Sequence, residues 1–357
     1  MLHAVAGSGG LAGVRRVRPW TRMLLATLPC LLLAGPCWAR GGEARPPRGG
    51  AAAPGAATEW NAYWVGHSLL SRIPDAVAAL VAASPGGLSL AWKEQNIPGA
   101  SLEINWSEAL PDRQRYRFEP SWQQRYDLRL ASGEVDTLVL TDSVPRGGQA
   151  QEEETHAGLV RFATLAREKN PAVRVLYYET WHCLDTGTPK GCEWDKASPT
   201  RNLAWVERVE ADRAMWRRVV ARANATLVER KVPGASAAEP VIRMLPAGPA
   251  LAQAVREAEQ GKLAGLKGMD DFFSDRIHAN ALGAYLVGCV HYAGLTGRSP
   301  VGLPSDIKER WGHGWWTPRL SWTREAPPAA VIRRLQELAW EAVRSEPGLL
   351  GAAARRK

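Results

Sequence analysis

The sequence predicts an α/β fold, three layers of α/β/α around a mostly parallel sheet. Three observations carry that reading. Short apolar runs alternate along the chain with longer amphipathic stretches, the pattern of strands and crossover helices. The amphipathic stretches keep helical spacing, most plainly at Leu203, Val206, Met215, Val219, Ala223 and Leu227. The 357 residues, 45% hydrophobic and 23% charged, suffice for one large covered sheet and are too apolar for a disordered chain.

Residues 1–39 have the layout of a secretory signal. Arg15, Arg16, Arg18 and Arg22 form a basic region, an apolar run follows over 23–34, and Cys37-Trp38-Ala39 supplies the small-residue pattern of a cleavage site. The apolar run is too short and wrongly flanked to cross a bilayer. The expectation is therefore export, to the periplasm or beyond the cell, with no membrane span. Cleavage after Ala39 takes four arginines and no acidic residue, so the net charge falls from +9 to near +5. That mild excess, without a dense Lys/Arg block, argues against a nucleic-acid partner. Residues 40–58 are rich in Gly, Ala, Pro and Arg without an apolar period and read as a flexible leader. A catalytic domain is expected over 59–300. A Trp-containing loop and helix over 301–357 are expected to pack on the same domain.

Within that domain, strands are predicted at 63–65, 88–92, 137–140, 173–178 and 241–245. Helices are predicted over 74–83, 153–169, 202–231, 281–290 and 328–343. Pro74 suits a first helical turn, where its missing N–H has no partner to lose, and Pro233-Gly234 stops the long third helix. Of the 16 tryptophans only Trp20 and Trp38 precede the cleavage point. Most of the remainder are expected in the core, with a few lining a cleft where flat rings meet sugar faces. The segment Trp311-Gly312-His313-Gly314-Trp315-Trp316 is a candidate binding loop.

Three cysteines remain after cleavage. Cys183 and Cys192 are spaced to close a short loop as a disulfide in an oxidising compartment, with two unpaired thiols as the alternative. Cys289 lies in an apolar helical run and reads as a packing residue. No paired Cys-x-x-Cys motif or His-x-x-x-His helix exists, so neither a metal nor another cofactor is indicated. Two sequons, at Asn105 and Asn224, are also present.

Parallel sheets place their sites at the carboxyl ends of the strands, and Ser68, Asp142 and Glu179 each closely follow a predicted strand. A serine hydroxyl is a weak nucleophile until a base takes its proton, and that base needs a third group to orient it. Asp275-Arg276-Ile277-His278 offers both, since a spacing of three in a turn brings the carboxylate to the imidazole. His182 is the rival base, without an Asp at short spacing. Asp142, Glu179 and His182 are the candidates for substrate recognition.

Gly66-His67-Ser68-Leu69, Gly99 in Ile97-Pro98-Gly99-Ala100, and Asp275-x-x-His278 together resemble the SGNH hydrolase superfamily, the GDSL-like lipases and esterases. The likeness spans residues 60–297. It implies a flavodoxin-like sandwich and an ester hydrolase that works through an acyl-enzyme. Ser68 would be the nucleophile, His278 the base and Asp275 its orienting partner, with the Ser68 and Gly99 N–H groups in the oxyanion hole. Two positions depart from the family pattern. His67 stands where the family has Asp, and Asp142 stands where the family supplies an oxyanion-hole Asn. A carboxylate repels an oxyanion, so Thr141, Ser143 or Asn105 is the expected substitute. Export and the tryptophans point to an O-acyl or O-acetyl group on a carbohydrate, whether a small molecule or a polysaccharide. The alternatives are an O-acyltransferase acting on a glycan and a non-catalytic glycan-binding protein. Oligomeric state is left open.

Overall fold

The computed structural model describes residues 58–108, 124–145, 147–195, 198–305 and 327–350. The expected signal, nearly all of the leader, and the 311–316 segment with His313 lie outside them. Five strands, β1 (Thr58–Gly66), β2 (Leu88–Asn96), β3 (Thr137–Leu140), β4 (Arg174–Tyr178) and β5 (Ile242–Leu245), form one sheet. Every pairing among them is parallel, and their order is β2-β1-β3-β4-β5. This is the α/β fold that the alternation predicts, in a flavodoxin-like strand order.

Side chains alternate through the sheet and divide the core in two. Ala62, Trp64, Val139, Leu176, Tyr178 and Leu245 pack on one face with α1 (Ile73–Ala83), α6 (Ala247–Glu259), α7 (Ala281–Thr296) and α8 (Ala329–Ser345). Tyr63, Val65, Leu138, Leu140, Val175 and Tyr177 pack on the other. There they meet α2 (Leu102–Glu108), α3 (Tyr126–Ala131), α4 (Gln149–Lys169) and much of α5 (Trp205–Glu229). All four residues of β3 are buried, as expected of a central strand covered on both sides. Truncating one of the large buried rings, Trp64 or Phe162, would cost about 3–5 kcal/mol through lost contacts and the cavity left behind.

Pro74 lies in the first turn of α1, as predicted. The C-terminal helix α8 packs on α6 and α7. Asn224 donates to the Ile242 carbonyl and accepts from the Ile242 N–H, both at 2.9 Å, and so ties α5 to β5. Asn105 is fully buried, so neither sequon presents a free amide to solvent.

The strand order reverses beside β1, which has β2 on one side and β3 on the other. The crevice above such a reversal is the favoured ligand position in open parallel sheets. Ser68 follows β1 and Asp142 follows β3, so this crevice is where the candidate residues gather.

Candidate active site

Gly66 ends β1, and a Cβ there would collide with the Thr141 side chain at the end of β3. The strand ends therefore lie close together, and the chain goes on into a 3-10 turn over Ser68–Leu70. His67 caps the turn. Its Nε2–H donates to the Asp142 carbonyl at 2.8 Å, and its Nδ1 accepts from the Leu69 N–H at 3.4 Å. This pair of bonds requires a neutral imidazole of one tautomer. Burial pulls the His67 pKa down to about 4, with the nearby His278 adding to the shift and the Asp142 carbonyl opposing it. The departure from the family's Asp is thus a structural cap that links the ends of β1 and β3.

The 274–278 segment is shaped by its own hydrogen bonds. Asp275 Oδ1 accepts from the Ile277 and His278 N–H groups, both at 2.8 Å, while Ser274 donates from N and Oγ to the His278 carbonyl. Trp181 Nε1 donates to the Ile277 carbonyl at 2.7 Å, and the Leu184 N–H to that of Arg276 at 2.8 Å, anchoring the segment to the chain beyond β4. Asn280 caps α7 immediately afterwards, accepting from the Leu282 and Gly283 N–H groups. The result is a fixed turn that presents an imidazole.

His278 Nδ1 lies 2.7 Å from Asp275 Oδ2, and its Nε2 lies 2.9 Å from Ser68 Oγ. Partial burial alone would raise the Asp275 carboxyl. The two backbone donors and the His278 ring outweigh it and hold the carboxyl below its usual range. An ionised Asp275 therefore accepts from Nδ1–H and leaves Nε2 free to take the Ser68 proton. The three residues form a continuous relay, brought together across 210 residues of sequence.

The relay opens into a cavity of about 450 Å³, within the range of roughly 300–1,000 Å³ typical of small-molecule sites. Gly99 lines it beside Ser68, with φ +71 and open space where a Cβ would stand. Glycine is needed there for the left-handed backbone. Ser101, Ile104, Ser143, Val144, Trp194 and Ile277 complete much of the wall.

Three predicted recognition residues are placed differently from the expectation. The Asp142 carboxylate is buried and turned away from the cavity, accepting from the Leu102 and Ser143 N–H groups at 2.8 Å and from the Thr155 hydroxyl. Its work is to join β3 to the start of α2 and the second turn of α4. Glu179 is also buried, with Arg213 Nε 3.6 Å from its carboxylate, and burial raises its pKa to about 8 against that guanidinium's pull. His182 lies within the core, Asp212 being 3.3 Å from its Nδ1, so an acidic neighbour exists that sequence spacing does not reveal. Burial lowers the His182 pKa despite Asp212, and neither Glu179 nor His182 lines the cavity. Following a strand selects the correct edge of the sheet. Which way the side chain then turns depends on partners from α4 and α5.

Two of the three candidate substitutes for the missing Asn are committed elsewhere. Thr141 donates to the Tyr178 carbonyl at 3.0 Å. Asn105 gives its Nδ2–H groups to the Gly66 and Ser101 carbonyls. Ser143 differs, since the residue lines the cavity while its buried hydroxyl has no hydrogen-bond partner. Cys183 and Cys192 are joined as a disulfide with Cα atoms 6.0 Å apart, and Cys289 is a buried free thiol.

No protein-family model matches the chain, and no curated protein does. Among solved structures, the chain is similar to a GDSL-like lipase from Parabacteroides merdae ATCC 43184, with 13% identity, TM-score 0.40, and 67% of this chain and 95% of that one covered. A carbohydrate esterase family 3 protein from Talaromyces cellulolyticus shows 12% identity and TM-score 0.37, over 66% of this chain and 96% of its own. A carbohydrate esterase family 2 enzyme with a carbohydrate-binding domain, from Corynascus thermopiles (Myceliophthora fergusii), shows 13% identity and TM-score 0.35, over 69% of each chain. The reading of the site rests on its own geometry. The turn after β1 and the Asp-x-x-His segment before α7 hold the residues in which the sequence resembles the SGNH hydrolases.

Proposed function

We propose that the protein is an exported serine esterase that removes O-acyl groups from a carbohydrate. The observation that carries this reading is the relay from Asp275 through His278 to Ser68, at the wall of an open cavity. His278 Nε2 takes the proton from Ser68 Oγ as that oxygen attacks the acyl carbon. The charge that develops on the carbonyl oxygen is met by the Ser68 and Gly99 N–H groups. The Ser143 hydroxyl joins them after rotation about χ1 and replaces the family's Asn. The C–O bond to the alcohol then breaks, with His278 returning its proton to the leaving oxygen. Water, deprotonated by the same imidazole, attacks the acyl-enzyme, releasing a carboxylic acid and restoring Ser68. Export and a carbohydrate alcohol are supported by the N-terminal signal pattern and the abundance of tryptophan in the sequence.

The test is turnover of a small aryl acetate by the mature chain and by Ser68→Ala, His278→Ala and the double variant. Each single change should remove nearly all activity with folding intact, and the double should be little worse, because all three disable one proton-transfer step. Full activity in Ser68→Ala would place the nucleophile elsewhere.

A further inference from the structure

Four large hydrophobic residues stand out as exposed among the described residues, and two of them, Trp194 and Ile104, line the cavity that holds Ser68 and His278. Trp194 is 46% exposed, an unusual position for the side chain with the largest apolar area to hide. The described residues on either side of it are tied to the core. Two residues before it, Cys192 is covalently joined to the fully buried Cys183. Immediately after it, Asp195 turns into the interior and pairs with Arg208, a guanidinium with no exposure at all. Arg208 is held in turn by Thr186 Oγ1 at 2.9 Å, the Pro145 carbonyl at 3.2 Å and Asp212 at 3.3 Å. Burying such an ionic cluster carries a desolvation penalty and serves mainly to define geometry. The disulfide before Trp194 and this cluster at Asp195 leave the exposed indole between two tied points.

We infer that Trp194 is the aromatic platform of a sugar-binding subsite, stacking on the apolar C–H face of a pyranose ring whose acyl group reaches Ser68. The inference rests on the esterase reading above and adds the subsite that would select its alcohol. The flat exposed indole suits the face of a ring better than a flexible acyl chain. The lining is mainly apolar, with Ser68 and His278 as its reacting groups, so an occupant needs an apolar face against the wall and its acyl group at Ser68. Ile104, 40% exposed on α2, supplies a second apolar contact at the same cavity.

The test uses the full-length mature chain carrying Ser68→Ala, which holds substrate without turning it over. Binding of partially acetylated xylo-, gluco- and manno-oligosaccharides is measured by calorimetry, with and without Trp194→Ala. At least one series should bind, and Trp194→Ala should weaken it tenfold or more, with Trp194→Tyr restoring much of the loss. In the otherwise wild-type enzyme, Trp194→Ala should raise KM for that oligosaccharide about tenfold, with kcat kept, and lower kcat/KM on a small alkyl acetate by a clearly smaller factor. An equal loss on both substrates, or no binding by any of the three series, would overturn the platform. Trp194-dependent binding by a protein inactive on every ester would keep the subsite and refute the esterase.

Discussion

Ser143 shows how one atom separates a catalytic role from a structural one. Its hydroxyl is buried without a partner, an arrangement that costs roughly 1–3 kcal/mol of desolvation in an ordinary core. Ser143→Ala should therefore leave the thermal midpoint unchanged or slightly raised. If the hydroxyl turns toward the oxyanion, the same change should lower kcat about 100-fold, the usual scale for one lost donor, with KM little altered. Unchanged kcat on an aryl acetate would remove Ser143 from the oxyanion hole. At this scale, legibility in the sequence followed distance along the chain. Asp275 and His278 are three residues apart in one turn, so their pairing is visible in the letters. The His182–Asp212 proximity spans two elements and is not.

Among elements, the five strands and α1, α4, α5, α7 and α8 were readable, while α2, α3 and α6 were not. α2 and α3 are too short to show a full helical period. α6 carries Gly248 and Pro249 in its first turn, a pair that marks turns more often than helices. Gly248 is there because a Cβ would press on the Thr180 carbonyl beyond β4, a constraint that only the packed structure reveals. The 183–192 loop joins element to site. Closing so short a ring stabilises by about 2–3 kcal/mol at most in the chain-entropy model. The double variant Cys183→Ser/Cys192→Ser should lose up to that amount in urea unfolding, and reductant should reproduce the loss in the parent. A variant as stable as the parent would mean that the Arg208 cluster alone holds the loop.

Across the whole molecule, buried titratable groups set a stability profile with pH. Burial takes His67 and His291 down to about 4, so each loses stabilisation as pH falls from about 6.5, its unfolded value, to about 4. Burial takes Glu94 and Glu179 up to about 8, so each loses stabilisation as pH rises from about 4.5 to about 8. Between 4.5 and 6.5 the two pairs oppose one another. From these four groups, stability should be greatest in that window, falling below it through the histidines and above it through the carboxyls. Unfolding midpoints at pH 5.5 and 8.5 should differ by a few kcal/mol in free energy, on the scale of 1.36 kcal/mol per pH unit per group. Glu179→Gln should recover part of the alkaline loss; an identical slope in that variant would contradict the assignment. The sequence by itself determined the alternation of strands and helices, the parallel class and the Asp275–His278 pair, because these depend on periodicity and short spacing. Only the tertiary structure decided that Asp142, Glu179 and His182 turn inward, that Ser143 keeps a free hydroxyl and that Trp194 stands at the cavity. Those outcomes depend on partners that folding brings from distant elements, where burial and hydrogen bonding, not sequence order, choose the neighbours.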